Sequence, residues 1–398
     1  MRVLMVAHNV AWQGSAIRAL SLARPLAAMG HELTVIASRG RAGLRVASEV
    51  VDGVRLVQLP DLVHRRLRNG GLSPVDLAGR VAHVLGTRYG VVHAFEQRPC
   101  ATVPALLARR LRSAVYVADW ADLWGPDGMA ADWPAPQRLT LGAFDGVWQS
   151  YTRRRADAVT AISTDLADRA LRLGVPPDRV RLVPIGANDD VFAPSSASAA
   201  RRRLGVPEDA FVLVHTGFAP FDDWLLGRVF AELAAREPRT WLVTTGRRIG
   251  ALDVAAAAAG AGNRLLQLGV VAYRDLSDAM ACGDVMLLPY TNRPHNAARF
   301  PNRVGDYLAA GRPVATNPTG DLGRLVSAEA IGVVAPEDPG AFASVVLELL
   351  CRPAERAAMG ARARALAETT FSWRARAETL DELYRELVAA GPRGSSIS

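Results

Sequence analysis

The stretch Pro289 to Gly320, PYTNRPHNAARFPNRVGDYLAAGRPVATNPTG, concentrates groups suited to an anion and a diol. Arg299, Asn302 and Arg303 fall in a loop ahead of a helix, Asp306 lies in that helix's first turn, and Gly311-Arg312-Pro313 stops it before another strand. A helix N-terminus with nearby arginines can receive phosphate oxygens, and a carboxylate one turn in can accept two hydrogen bonds from a ribose diol. The same residues also fit a plainer account, with Asp306 as a favourable helix-start charge and Arg303 on the surface. Arg247 and Arg248, in the Gly246 to Gly250 loop, offer bidentate donors to a phosphate, or form an exposed loop pair.

A second concentration lies at Ala118 to Gly128, ADWADLWGPDG, where Asp119, Trp120, Asp122 and Trp124 crowd together and Trp133 follows. Carboxylates that bind hydroxyls and indoles that stack on sugar faces suit a polyol acceptor; the alternative is a Trp-rich core contact with one acid capping a helix. His93 and Glu96, next to the strand Val91-Val92, are candidates for the same site, and a lone His there is as readily a satisfied structural residue. His8 and Trp12 belong to the first loop, above Gly14, whose lack of a Cβ lets a phosphate approach the backbone.

These groups need a scaffold, and the apolar pattern supplies one. Val3 to Ala7, Leu33 to Ala37, Val54 to Leu59, Val91 to Phe95, Val115 to Val117 and Val159 to Ile162 read as buried strands. Helical stretches such as Ala16 to Met29, Pro74 to Gly86 and Thr102 to Leu111 lie between them. The alternation predicts a doubly wound parallel sheet over residues 1–183. Val180 to Pro194 breaks the periodicity and small residues follow, which predicts a linker at 184–200. A second α/β domain, 201–370, restarts with Phe211 to His215, Trp241 to Thr245, Leu265 to Leu268, Val285 to Pro289 and Pro313 to Ala315 as strands. A terminal helix at 371–390 and a disordered polar tail at 391–398 complete the chain. Two such sheets facing across a cleft bind ligands beyond the carboxyl ends of their strands.

Composition narrows the function classes. The 398 residues hold 47 basic and 39 acidic side chains, a net +8, and every basic one is arginine. The arginine clusters lack interleaved aromatics and recognition motifs, so no nucleic acid is expected. A membrane-surface patch at Leu62 to Leu72 is a minor reading, and membrane contact is not expected otherwise. No apolar run reaches the ~18 residues of a membrane span and none suits a secretory leader, which predicts a cytoplasmic protein. The three cysteines, Cys100, Cys282 and Cys351, read as buried thiols without zinc spacing. GxGxxG after the first strand, GxxxxGK[ST], GxSxG and HExxH are missing, which excludes dinucleotide oxidoreductases and P-loop NTPases and weakens hydrolase and zinc-protease readings. No Asp-x-Asp offers a divalent metal a carboxylate pair, so no metal is expected.

Over nearly its whole length the sequence resembles the retaining GT-B glycosyltransferases usually called family 4. The likeness rests on Met1 to Ala37 with its Gly30-His31-Glu32, on Ala156 to Pro194, on Pro289 to Gly320, and on Phe371-Ser372-Trp373 at the start of the terminal helix. It implies two Rossmann-like domains, a terminal helix that crosses back to the first, and transfer of a sugar from a nucleoside diphosphate donor, UDP- or GDP-linked, with no cofactor. Asp306 takes the place of the second acid of the family's Glu-x7-Glu signature, and Ala298 replaces the first. Arg299, Pro301 and Arg303 match an Arg-x-Pro-x-Lys loop with arginine for lysine. The resemblance puts Val271 and Tyr273 beside the nucleobase, Arg303 at the leaving-group charge and Asp122 at the acceptor. The usual Arg and Lys diphosphate clamp is absent, since Phe218, Ala219 and Pro220 follow Gly217, with Asp222-Asp223 beyond. The expected acceptor is a small molecule, in a bacterial biosynthesis, and a homodimer is possible. Alternatives are a non-catalytic sugar-nucleotide-binding auxiliary protein, or an epimerase or hydrolase on the same fold.

Overall fold

The computed structural model describes residues 1–39, 45–60, 71–188, 196–217, 221–272 and 276–392. They divide into two compact units, Met1–Ile185 with the chain from Trp373 onward, and Gly186–Ser372.

In the first unit β1 (Arg2–Val10), β2 (Glu32–Ser38), β3 (Ala47–Val51), β4 (Val54–Leu59), β5 (Val91–Phe95), β6 (Val115–Trp120), β7 (Ala158–Ala161) and β8 (Val180–Leu182) form one sheet. Its order is β3-β4-β2-β1-β5-β6-β7-β8. All neighbours are parallel except β3 with β4. The apolar run Val3–Ala7 and the buried strand Val91–Phe95, apolar but for His93, sit at its centre, covered on both faces as parallel strands require. Strand order reverses between β1 and β5, so the last residues of β1, His8 to Val10, and Glu96 directly after β5 flank the switch point. The helix Trp373–Ala390 belongs to this unit, with Leu380, Leu383, Tyr384 and Leu387 buried and the His31 ring 2.8 Å from Asp381 Oδ1.

The second unit carries β9 (Phe211–His215), β10 (Thr240–Thr244), β11 (Leu265–Gln267), β12 (Val285–Leu288), β13 (Val314–Thr316) and β14 (Gly332–Val334). These are parallel in the order β11-β10-β9-β12-β13-β14. Its switch point lies between β9 and β12. Leu225, Val229, Phe230 and Leu233 of the helix Asp223–Arg236 pack with Phe342 and Val346 of the helix Pro339–Leu350 in the apolar core.

Several expectations need correction. β1 runs to Val10 instead of ending at Ala7, because an irregularity after Val6 lets Val10 still pair with Ser38. β3, β8 and β14 are strands that the pattern did not reveal; they are short and mostly half-buried or exposed, so they lack the apolar signature. Val180–Leu182 therefore continues the first sheet. The second part of the expected linker is the helix Ala197–Leu204, started by Ser196 Oγ accepting from Ala199 N at 3.3 Å and stopped by Gly205 at φ 70°. Cys351 is exposed, unlike Cys100 and Cys282. Residues 62–70 of the Leu62 to Leu72 patch, residues 189–195 of the linker and 393–398 of the tail lie outside the described residues.

Candidate functional site

Arg303, one of the expected donor groups, stands at the second unit's switch point. His215 ends β9, and its Nδ1 donates to Leu287 O of β12 at 2.9 Å, which leaves Nε2 to accept from Arg303 Nη1 at 3.0 Å. Burial first, and then the Arg303 charge, push this imidazole down to about 3, so it is neutral and its lone pair is committed to the guanidinium. One turn along the helix Arg303–Ala309, the Tyr307 hydroxyl accepts from Thr216 N at 2.9 Å. Two side chains four residues apart thus pin this helix to the end of β9.

The crevice floor is glycine. A Cβ on Gly217 would lie 3.5 Å from Arg303 Nη2, and one on Gly246 would lie 2.9 Å from Gly217 O. Gly246 also stands at φ +102°, a conformation that L side chains rarely adopt, and its N–H donates to Gly269 O at 2.8 Å. The loops after β9, β10 and β11 are therefore stitched backbone to backbone, with Arg303 above them.

Arg299 is held by its neighbours: Nε donates to the Tyr290 hydroxyl at 3.1 Å and Nη2 to Asn296 Oδ1 at 2.6 Å, with its charge 5.5 Å from the Phe221 and Tyr290 ring centres. Asn302 is exposed at the helix start and makes no side-chain cap. Asp306 is half-buried and accepts from Asn188 Nδ2 at 3.3 Å. Val271 is half-buried just beyond Gly269, and Tyr273 lies outside the described residues. Arg248 is corrected: exposed, it forms two hydrogen bonds with Asp253, at 2.9 and 2.8 Å, as a surface pair. Arg247 is exposed beside it.

The sequence reading missed the acids beneath this crevice. Asp222 is buried and accepts from Thr291 N, Thr291 Oγ1 and Asn296 Nδ2, which ties the start of the helix Asp223–Arg236 to the segment after β12. Asp223 Oδ1 is buried without a hydrogen-bond partner. Burial pushes its carboxyl up to about 6, with the Arg303 charge opposing and Asp222 adding to the rise. His215 was legible as a polar residue closing an apolar strand, where parallel sheets place ligand-facing groups, and the Asp222-Asp223 pair as acids at the start of the following helix.

In the first unit the expected acceptor residues divide into two groups. Asp119 is corrected to a structural role. It is buried, its two oxygens take Arg18 Nε and Nη2 at 3.0 and 2.9 Å, Thr160 Oγ1 donates to it at 2.7 Å, and its acidity is increased mainly by Arg18 against burial. The same Arg18 donates to Val183 O at 2.6 Å, so the pair fastens β8's exit to β6. His93 is corrected likewise: fully buried, it lies between the Tyr384 hydroxyl at 2.6 Å and Thr160 Oγ1 at 3.1 Å, and burial pushes it down to about 4. Trp120 is buried, with its indole N–H on Asp122 O at 3.1 Å and Arg153 4.9 Å from its ring centre.

Glu96 is buried at the end of β5 and organises the neighbouring loop. Its Oε1 accepts from the backbone N–H groups of Ala121 and Asp122 at 3.1 Å, and its Oε2 from the Trp124 indole at 2.9 Å. Glu96 holds φ 73°, a strained value for a side-chain-bearing residue. Burial, with Asp122 second, pushes its carboxyl up to about 8. It therefore positions Asp122 and Trp124, which are only half-buried. His8 is buried, 3.2 Å from Ser15 Oγ, and burial with the Arg98 and Arg80 charges lowers it to about 3. Gly14 precedes the helix Ser15–Ala28 at φ +47°, where a Cβ would meet Asn9 Oδ1 at 2.4 Å; that oxygen also accepts from Ser15 N at 2.7 Å. Trp12 is half exposed, with the Arg24 guanidinium 5.7 Å from its ring centre. Among the described residues no group of three or more His, Cys, Asp or Glu is arranged to hold a metal ion. No helix there is long and apolar enough to cross a membrane.

Two family models cover most of the chain. Residues 13–186 match the glycosyl transferase 4-like domain and residues 219–352 the glycosyl transferases group 1 domain. A D-inositol 3-phosphate glycosyltransferase of Streptosporangium roseum is 28% identical over 404 residues, covering 94% of this chain and 89% of its own. Among solved structures, sucrose-phosphate synthase from Thermosynechococcus elongatus superposes with TM-score 0.80 at 19% identity, covering 98% of this chain and all of that one. Anabaena HepE in complex with UDP-glucose gives 0.73 at 18%, covering 97% and 100%. The chain belongs to the GT-B glycosyltransferases of family 4, the group 1 type, and is an enzyme.

Proposed function

We propose that the enzyme transfers a sugar, with retention, from a nucleoside diphosphate donor to a small-molecule polyol, without a metal. The observation that carries this reading is Arg303, held by a neutral imidazole above a glycine floor at the switch point of the second sheet. A guanidinium is a permanent cation with paired donors, suited to a diphosphate oxygen whose charge grows as the glycosidic bond breaks. Arg299 adds a second fixed cation in the same segment. A UDP- or GDP-linked donor fits, and the UDP-glucose complex of HepE favours the first.

The acceptor hydroxyl attacks the anomeric carbon on the face that the diphosphate leaves. A new C–O bond forms as the old one breaks, and the departing phosphate oxygen takes the hydroxyl proton. Asp122, in the loop held by Glu96, orients the acceptor. The relatives named D-inositol 3-phosphate glycosyltransferases favour a cyclitol as that acceptor. A transfer assay with UDP-glucose and inositol phosphates in the presence of EDTA, with proton NMR of the product's anomeric centre, tests the proposal. Product of unchanged anomeric configuration supports it; inverted product, or turnover only with added magnesium, refutes it.

A further inference from the structure

The helical run from Ala135 to Arg154 carries its polarity inside out. It comprises Ala135–Gln137, a π-helical turn Arg138–Gly142 and the helix Ala143–Arg154. The inward face is polar: Asp145 binds Arg98 at 2.6 Å, Gln149 donates to Trp124 O at 2.6 Å, and Arg153 donates to Asp119 O at 3.0 Å. The outward face is apolar. Phe144, Val147, Trp148 and Tyr151 share it by helical spacing, and Leu139 and Leu141 extend the exposed run through the preceding turn. Val147 is 72% exposed and Leu139 73%, while Phe144, Trp148 and Tyr151 stack in a ladder with ring centres 6.0 and 5.5 Å apart. A surface helix facing water shows the reverse pattern, and a contiguous apolar patch of this kind marks a docking site.

Charge identifies the occupant. Arg154 and Arg155 are exposed at the helix end, Arg155 lying 5.2 Å from the Tyr151 ring centre. The neighbouring helix Pro99–Arg112, joined through the Trp148 indole on Thr102 Oγ1 at 3.1 Å, adds exposed Arg110 and Leu111. Asp145 and Asp157, the acids of this region, are buried against Arg98 and Arg109. If this face paired with itself across a two-fold contact, the exposed acid at hand would be Asp132, at the far end of the run, whereas an anionic bilayer offers a phosphate to each arginine. We propose that this face docks on an anionic lipid surface, with the aromatic ladder entering the interface and Arg110, Arg154 and Arg155 meeting head-group phosphates. This departs from the sequence expectation, which assigned its minor membrane reading to Leu62 to Leu72.

Co-sedimentation of the full chain with vesicles tests this independently of any transfer reaction. On equal parts phosphatidylglycerol and phosphatidylcholine the protein should pellet, with several-fold less on phosphatidylcholine alone or at high salt. The combined variant Phe144→Ser, Val147→Ser, Tyr151→Ser should lose binding, and Arg154→Gln with Arg155→Gln should lose the anionic preference. Both should keep the wild-type melting temperature, since these side chains are exposed. Wild-type protein left in the supernatant with either vesicle overturns the proposal. So does self-association in analytical ultracentrifugation that the serine variant abolishes, which assigns the face to a second copy.

Discussion

Arg303 Nη1 donates to His215 Nε2 at 3.0 Å, and His215 Nδ1 donates in turn to the main chain of β12. The guanidinium is thereby aimed by a neutral ring that adds no charge of its own. Arg303→Ala should lower kcat/KM at least a hundredfold, roughly the effect of removing one preorganised donor to a developing oxyanion. Arg303→Lys should recover only part, because an ammonium lacks the paired donors. Steady-state kinetics with the melting temperature as control checks this.

His215→Leu removes the support and leaves the Leu287 carbonyl without this donor. A loss of about 1 to 3 kcal/mol in urea unfolding is expected. Turnover should also fall, by less than in Arg303→Ala.

Asp223 lies within the field of Arg303, and its carboxyl is pushed up to about 6. Below that pH it is neutral and leaves the Arg303 charge whole for the diphosphate; above it, the carboxylate cancels part of that charge. The donor KM should therefore rise as pH passes upward through about 6, and Asp223→Asn should flatten the profile. A KM that is constant from pH 5 to 8 in wild type contradicts this.

Two acids three residues apart should behave oppositely. Asp119→Asn breaks a buried ion pair with Arg18 and should cost about 3 to 5 kcal/mol of stability. Asp122→Asn should leave the melting temperature nearly unchanged and raise the acceptor KM.

Stability should also fall in mild acid. His8, His93 and His215 are depressed to about 3, 4 and 3 from 6.5. The unfolded chain takes up these protons first, so their contribution is fully present above 6.5 and is lost as pH falls toward 4 and below. The urea midpoint, followed between pH 7 and 4, should drop steeply, with the drop smaller in His93→Gln.

Which of these roles could be read in advance follows from how local the signal is. Runs such as Val3–Ala7 and the largely apolar Val91–Phe95 declare central strands, and Pro74–Gly86 declares its helix, because buried parallel strands and capped helices leave complete local patterns. Val180–Leu182 leaves no such pattern, since an edge strand of this length buries little. In the second unit, Arg299, Arg303 and Asp306 stood out together because they fall in one contiguous segment. Asp119 and His93 were misjudged because their partners, Arg18 and Tyr384, are 101 and 291 residues away, and only the fold reveals that their polar atoms are already engaged. Glu96 was placed among the acceptor groups, and its contacts show that it braces the loop carrying Asp122 and Trp124.

The most direct test of the account is calorimetric titration of wild type and Arg303→Ala with UDP and GDP in EDTA. One diphosphate should bind wild type without metal, and the variant should bind it at least tenfold more weakly. Equal affinity in the two proteins, or binding that appears only when magnesium is restored, would contradict it.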